Sequence, residues 1–310
     1  MHERTLFGAD WGSTNLRVFR FDDAGTVLEQ RDAPVGISTI QNGRFENALA
    51  TLMDDWLSEA GADCTILLCG MVGSRAGWLE APYLACPASL TDLAGRLVSV
   101  LGTVAEVYIV PGLMTATADG VRDVMRGEET QILGAVGGGE HLVIAPGTHS
   151  KWAVVKAERI CTFQTFMTGE LFALLSHHSV LGRLMVPGDH NEEVFELGCR
   201  RGMQRLDLTS LLFSVRTEGL FEAIAPGALS CYLSGLLIGT EVCSALRDPD
   251  TRARASRSGV TIIGSGVLLD RYRTALAFAG VTEVRTHDGT AACARGLAKV
   301  ARAAKLGVLT

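Results

Sequence analysis

Leu6-Phe-Gly-Ala-Asp10-Trp-Gly12-Ser-Thr-Asn15-Leu-Arg-Val18 and Leu142-Val-Ile-Ala-Pro-Gly147-Thr-His-Ser-Lys-Trp-Ala-Val154 are the two stretches that decide the fold. In each, an apolar strand runs into glycine and hydroxyl residues, and a second apolar run follows. Both therefore read as hairpins with a glycine-centred turn. Backbone N–H groups and Ser or Thr hydroxyls at such a turn bind phosphate. Two copies half a chain apart predict a molecule that grips a nucleotide's phosphate tail from both sides.

Outward from the first hairpin, Arg44 to Ala60 places Phe45, Ala48, Leu49, Leu52, Met53, Trp56 and Leu57 at helical spacing. Cys64 to Cys69 is a short, wholly apolar strand bounded by Gly70. A helix is expected over about Leu90–Leu101, then a strand at Val107–Val110 stopped by Pro111-Gly112. Arg122 to Ala135 reads as a loop entering a helix, which Gly137–Gly139 break. Beyond the second hairpin, Thr168 to Met185 reads as largely helical with Thr168 as N-cap, and Asn191 caps a helix to about Met203. Ala228 to Leu246 is a strongly apolar helix, and Arg247 to Ser258 a charged, solvated loop. A strand at Val260–Ile263, a helix after Gly264-Ser-Gly266, a strand near Val284 and a helix from Gly289 to about Ala304 complete the pattern. Alternating strands and helices predict an α/β layer structure. The expected domains are 1–138 and 139–310, with the final helix free to pack back toward the first.

The length of 310 residues fits roughly two domains of about 150 residues. A net charge of −6 weighs against a large nucleic-acid surface. No uninterrupted apolar run reaches the roughly 18 residues of a membrane span. Met1 to Thr5 passes straight into a strand without the long apolar region of a signal peptide. The expectation is a cytoplasmic protein without nucleic-acid or membrane partners. The eight cysteines form no C-x-x-C pair and read as free, mostly buried thiols. His177-His178 are adjacent, not at zinc spacing.

The chemistry concentrates in a few segments. Gly12 allows close approach, Ser13, Thr14 and Asn15 offer donors, and Asp10 at a strand end suits a hydrated Mg²⁺ beside phosphates. Gly147, Thr148, His149 and Ser150 form the matching turn, and Lys151 adds a point charge. The P-loop pattern and the protein-kinase motif set are both absent. Gly264, Ser265 and Gly266 follow a strand and open a helix, where a nucleoside packs on bare backbone. Asp123, Arg126, Glu128 and Glu129 crowd around Gly127; phosphoryl transfer to a hydroxyl needs such a carboxylate and such cations. Three carboxylates, Asp123, Glu128 and Glu129, compete for the role of base. Ser74, Arg75 and Trp78 lie on a loop after a buried strand, the usual ligand position in α/β sheets. There Arg75 would fork onto a carboxylate and Trp78 would pack an apolar edge.

Taken in order, Asp10-Trp-Gly-Ser-Thr-Asn15, Gly70-Met-Val-Gly-Ser-Arg75, Asp123-Val-Met-Arg-Gly-Glu-Glu-Thr-Gln131, Pro146-Gly-Thr-His-Ser-Lys-Trp152, Thr165-Phe-Met-Thr-Gly-Glu170 and Leu233-Ser-Gly-Leu-Leu-Ile-Gly239 resemble the 2-dehydro-3-deoxygalactonokinase family. More broadly, the two hairpins and the late strand-glycine-helix turn resemble the sugar kinase, Hsp70 and actin superfamily. The resemblance implies two ribonuclease H-like domains flanking an ATP cleft, and an ATP- and Mg²⁺-dependent kinase. It further implies phosphorylation of 2-dehydro-3-deoxy-D-galactonate at its 6-hydroxyl, in galactonate breakdown. Trp11, Ser74, Arg75, Trp78, Arg126, Lys151 and Thr168 are the expected substrate contacts, and Asp10 the expected metal-side carboxylate. Ala145-Pro146 stand where the superfamily often has an acid, which leaves that role to Asp10. The competing readings are a kinase of another sugar or sugar acid, and a nucleotide-binding sensor or filament protein. A homodimer is compatible with all of them.

Overall fold

A computed structural model of the chain describes residues 4–61, 63–103, 105–117, 119–188, 190–204 and 207–307. Met1 to Glu3, where the expected signal-free start was read, lie outside the described residues. The chain divides into two compact units. Unit 1 takes Met1–Glu140, Ala153–Phe163 and Asp288–Thr310, and unit 2 takes His141–Trp152 and Gln164–His287. The first crossover, at Glu140, falls beside Gly137–Gly139. The expected 139–310 domain is not one continuous segment, because two stretches of it return to unit 1.

In chain order the first elements are β1 Thr5–Trp11, β2 Leu16–Phe21, β3 Val27–Ala33, α1 Phe45–Ala60, β4 Cys64–Cys69, β5 Leu84–Ala85 and β6 Ala88–Ser89. There follow α2 Leu90–Ala94, β7 Val98–Val100, β8 Glu106–Ile109, β9 Leu113–Ala116, β10 Arg122–Met125 and α3 Glu128–Ala135. Next come β11 Glu140–Ala145, β12 Ser150–Lys156, β13 Arg159–Phe166, α4 Thr168–His178, α5 Glu192–Gln204, α6 Leu208–Leu220 and α7 Leu229–Ala245. The series ends with α8 Pro249–Ser258, β14 Val260–Ile263, α9 Gly266–Phe278, β15 Val284–His287 and α10 Gly289–Ala304.

The main sheet of unit 1 has the order β3-β2-β1-β4-β8-β7. β1, β2 and β3 form an antiparallel meander, while β4 and β8 run parallel to β1. Every residue of β4 is buried, as a central parallel strand requires. One face of the sheet is covered by α1 through Phe45, Leu49, Met53 and Trp56, with Trp56 stacked on Phe7 at 5.8 Å. α10 packs on β1, β4 and α3. It meets α3 through bare backbone: a Cβ on Gly134 would lie 2.0 Å from Ala292 O, and one on Gly296 2.0 Å from Thr130 O. A smaller sheet, β10-β9-β5, completes the unit, and β13 pairs with β6 at Arg159 and Ile160.

In the sheet that carries unit 2 the strand order is β15-β14-β11-β12-β13, with β11, β14 and β15 parallel. A meander followed by parallel strands, in that spatial order and present twice, is the duplicated ribonuclease H-like arrangement of actin-like ATPases. The center of unit 2 is α7, buried along most of its length. By length and hydropathy Pro226–Ala245 is apolar enough to cross a bilayer, a property the sequence reading missed; 78% of its apolar window is buried within the fold. Leu229, Leu233, Leu236 and Leu237 fill a cluster with Leu211, Val215 and Ile224, each contributing roughly 1.5–3 kcal/mol by burial. α5 crosses α7 at backbone distance, Gly198 and Gly202 facing Tyr232 O and Leu236 O while Gly235 and Gly239 face Phe195 O and Cys199 O.

Three local expectations change. The helix expected over Leu90–Leu101 stops at Ala94, because Gly95 ends it and Val98 and Val100 pair with β8. The expected loop Arg247–Ser258 holds α8: Asp248 caps the Thr251 N–H and Pro249 opens the first turn. Thr168 does not cap α4, since Met167 holds that position and the Thr168 hydroxyl is engaged elsewhere. Asn191 does cap its helix, accepting from Val194 N at 3.0 Å.

Candidate active site

Three chain segments converge in unit 1 through two glycines. Gly70 ends β4 at φ 92°, and a Cβ there would stand 2.8 Å from Trp11 O and 3.3 Å from Asp10 Oδ1. Gly127 precedes α3 at φ 104°, and its Cβ would meet Gly70 Cα at 3.1 Å. Side chains at both positions would force the end of β1 away from the start of α3. With neither present, Asp10, Glu128 and Glu129 share one region.

Their environments differ. Asp10 is 18% exposed, faces Arg17 at 3.9 Å and accepts a hydrogen bond from Gln131. Burial pushes its carboxyl above the ordinary range; Arg17 opposes this and Glu128 adds to it. Glu129 has no exposed surface, accepts from Gly127 N at 2.7 Å and from Thr130 Oγ1 at 2.9 Å, and is pushed up to about 7 by burial and then by Glu128. It is therefore a brace for the start of α3. Glu128 is partly exposed and accepts from Arg126 N at 3.0 Å. Asp123 sits on β10 opposite Thr115, away from the α3 N-terminus that carries the other two acids. Of the three candidate bases, Glu128 alone combines exposure with a place beside Asp10.

Arg126 is 8% exposed. Its Nη2 donates to Ala81 O at 2.7 Å and its guanidinium lies 4.3 Å over the Tyr83 ring. Nε and Nη1 are buried and have no acceptor among the described residues, and the Ser74 hydroxyl is in the same condition. Buried N–H groups without partners cost about 1–3 kcal/mol each, so a native protein keeps them where an acceptor arrives from outside.

The Gly12–Asn15 turn is held by Gly36–Ser38. Gly36 N donates to Thr14 O at 2.9 Å, Ile37 N to Gly12 O at 3.0 Å, and Ser38 N and Oγ both to Ser13 O. With these carbonyls engaged, Ser13, Thr14 and Asn15 remain exposed, as phosphate donors require.

Unit 2 holds the second turn and a cavity of about 330 Å³. Gly147, Thr148 and Gly169 form its polar mouth; Phe172, Leu237, Ile238 and Leu268 form its apolar wall; Arg271 and Tyr272 complete the lining. Gly264 and Gly266 turn the chain from β14 into α9, which carries Leu268 and Arg271, and Gly264 N donates to His287 O at 3.0 Å. An apolar wall beside a glycine turn fits a nucleoside. Thr148 and His149 are exposed; His149 pairs with Glu170, and Glu170 N donates to Thr148 O at 2.9 Å.

Behind that turn lies a buried carboxylate that the sequence reading missed. Glu241 accepts from Ser150 Oγ, Trp152 Nε1 and Tyr272 Oη, each at 2.7 Å, and from Thr168 Oγ1. Burial raises its pKa against those four donors. The signal was available: Glu241 is the one charged residue in the apolar run Leu229–Ala245. Arg17, inside the first quoted stretch, was also passed over.

Several expected contacts belong to the framework instead. Trp11 is fully buried, its indole N–H donating to Val35 O at 2.8 Å, so it shows no surface to a substrate. Trp78 stacks on Phe45 at 6.0 Å at the edge of the same core. Arg75 is 89% exposed and paired with Glu80, a solvated loop arginine. Ser150 and Thr168 are committed to Glu241. Lys151 is only 4% exposed, with Nζ donating to His149 O at 3.3 Å, and is a buried support of the turn.

Comparisons with known proteins supply the family. The family model described as 2-keto-3-deoxy-galactonokinase matches residues 10–300. A curated protein of Rhizobium meliloti (strain 1021), assigned as a 2-dehydro-3-deoxygalactonokinase, is 39% identical over 304 residues, 95% of each chain. The 2-dehydro-3-deoxygalactonokinase of Escherichia coli (strain K12) is 35% identical over 295 residues, 95% of this chain and 96% of that one. A crystal structure from Sinorhizobium meliloti, assigned to the same kinase, has a TM-score of 0.86 at 36% identity, covering 96% of this chain and 98% of that one. A match across nearly the whole sequence means that this chain belongs to the 2-keto-3-deoxy-galactonokinase family.

Proposed function

We propose that the chain transfers the γ-phosphoryl group of ATP to the 6-hydroxyl of 2-dehydro-3-deoxy-D-galactonate, in cytoplasmic galactonate breakdown. The observation that carries the acid-substrate half is Arg126, a buried guanidinium with two unmet N–H groups. A guanidinium N–H donates a charge-assisted hydrogen bond to a carboxylate oxygen, and the 2-keto-3-deoxy acids supply such a carboxylate. The eight free cysteines suit a reducing compartment.

The roles follow from placement. Glu128 accepts the hydroxyl proton as its oxygen attacks the γ-phosphorus, and the ADP oxygen leaves with the bond's electron pair. Asp10 offers a partly exposed hard-oxygen ligand, which suits Mg²⁺; a bound Mg²⁺ supplies charge neutralisation at the phosphates. Within unit 1, Ser13, Thr14 and Asn15 are the phosphate-facing donors; within unit 2, Thr148 and His149 are, and the cavity there takes the nucleoside. Glu129 and Glu241 position the two turns without touching substrate.

A coupled ADP-release assay across neutral sugars, aldonates and 2-keto-3-deoxy acids tests the proposal. Turnover should be greatest with the galactonate-derived 2-keto-3-deoxy acid. Turnover of neutral sugars alone would overturn it.

A further inference from the structure

We infer that Asp10, Cys69 and Cys293 form an inhibitory site for a thiophilic divalent cation, with Zn²⁺ or Cd²⁺ as the fitting ions. Among the described residues these three are the one group of His, Cys, Asp or Glu side chains that brings three ligand atoms within 4.8 Å of one another. The two sulfurs lie 3.5 Å apart, and Cys69 Sγ is 4.0 Å from Asp10 Oδ1. Tetrahedral Zn²⁺, with bonds of about 2.3 Å to sulfur and about 2.0–2.2 Å to oxygen, sets its ligand atoms roughly 3.4–3.8 Å apart. The native spacing is therefore close to a coordination shell before any ion enters.

The elements explain the grouping. Asp10 and Cys69 are register partners on the parallel strands β1 and β4. Cys293 comes from α10, which packs on those two strands. Both sulfurs have no exposed surface, while Asp10 is 18% exposed, so an ion enters past the carboxylate and a water completes the fourth position from that side. As the two metal–sulfur bonds form, each thiol gives its proton to solvent; no group changes oxidation state. Two thiolates exclude Mg²⁺, which prefers oxygen, and select the softer ions. The sulfurs have no part in phosphoryl transfer, so the pair is unexplained by the kinase chemistry.

The bound ion would hold the Asp10 carboxylate on the sulfur side and remove it from service to Mg²⁺. This inhibitory half rests on the proposed place of Asp10 beside the phosphates; the binding half does not.

The test uses the full chain after chelator treatment, titrated with Cd²⁺ while its ultraviolet thiolate-to-metal absorption is followed. The expected result is saturation at one ion per chain, with the band lost in Cys69→Ser and in Cys293→Ser. Kinase activity of the unaltered chain should fall roughly tenfold or more at saturation, while both variants keep activity within about twofold and resist Cd²⁺. Anomalous scattering from Cd²⁺-soaked crystals of the unaltered chain locates the ion even where a serine variant does not fold. No band, a band that persists in both variants, or an anomalous peak elsewhere overturns the site. A bound ion at the three residues with full kinase activity overturns the inhibitory half and the placement of Asp10, and leaves the site standing.

Discussion

Arg126→Met separates a guanidinium kept for substrate from one kept for the fold. The variant loses a charged hydrogen bond to Ala81 O, worth about 1.5–3 kcal/mol, and the stack on Tyr83, worth about 0.5–2 kcal/mol. It also removes two buried N–H groups without acceptors, which cost about 1–3 kcal/mol each. The two sums nearly cancel, so the net change in stability is within about 2 kcal/mol of zero. Binding has no such cancellation. One charge-assisted hydrogen bond to a carboxylate contributes about 1.5–3 kcal/mol, which at 1.4 kcal/mol per factor of ten is roughly 10–10² in kcat/KM for the sugar acid. Steady-state kinetics against both substrates and denaturant unfolding supply the measurements. The expected result is a large loss in kcat/KM for the sugar acid, little change in KM for ATP, and near-native stability. A variant several kcal/mol less stable with an unchanged KM for the acid would refute the reasoning and make Arg126 a structural residue.

Glu128→Gln should lower kcat by roughly 10²–10⁴ with thermal stability unchanged, whereas near-normal turnover would move the base elsewhere. Glu129 makes a pH prediction. Its carboxyl rises from an ordinary 4.5 to about 7 on folding, worth roughly 3 kcal/mol. The fold prefers the protonated form, so that contribution is full below pH 4.5, declines as pH rises, and is gone above about 7. Subtracting the unfolding free energy of Glu129→Gln from that of the unaltered chain at each pH should expose this fall, and a difference flat from pH 4.5 to 7 would contradict it. Gly296→Ala would set a Cβ 2.0 Å from Thr130 O. Overpacking of that kind costs about 1–3 kcal/mol and should lower Tm by several degrees in a thermal melt.

The hairpins, the helix beginning at Phe45, the strands Cys64–Cys69 and Val260–Ile263 and the helix from Gly289 were legible because each is written in consecutive residues. Their hydrophobic period and glycine punctuation act locally. What stayed hidden depends on partners distant in sequence. Glu241 is explained only once Ser150, Trp152, Thr168 and Tyr272 surround it. Cys69 and Cys293 are 224 residues apart and meet only when α10 is seated. Trp11 and Trp78 misled because aromatics beside ligand motifs look like substrate walls, and sequence does not say which face a ring turns to the core. The three competing acids could not be ranked by type; burial sets Glu129 apart, and placement on β10 separates Asp123 from the half-buried Glu128.

The bare-backbone seat between α3 and α10 sets an order of events during synthesis. Strands β1, β2, β3 and β4 leave the ribosome early and have each other as partners. α3, which carries Glu128 and Glu129, is also made early, yet the surface that clasps Gly134 and Thr130 arrives only with Ala292 and Gly296. Domains otherwise tend to fold as they emerge. Here a ribosome-bound chain that has not released α10 lacks the backbone seat for Thr130 and Gly134 of α3. Emergence of α10 is thus the step that seats α3, and a fragment ending before Ala292 lacks that seat.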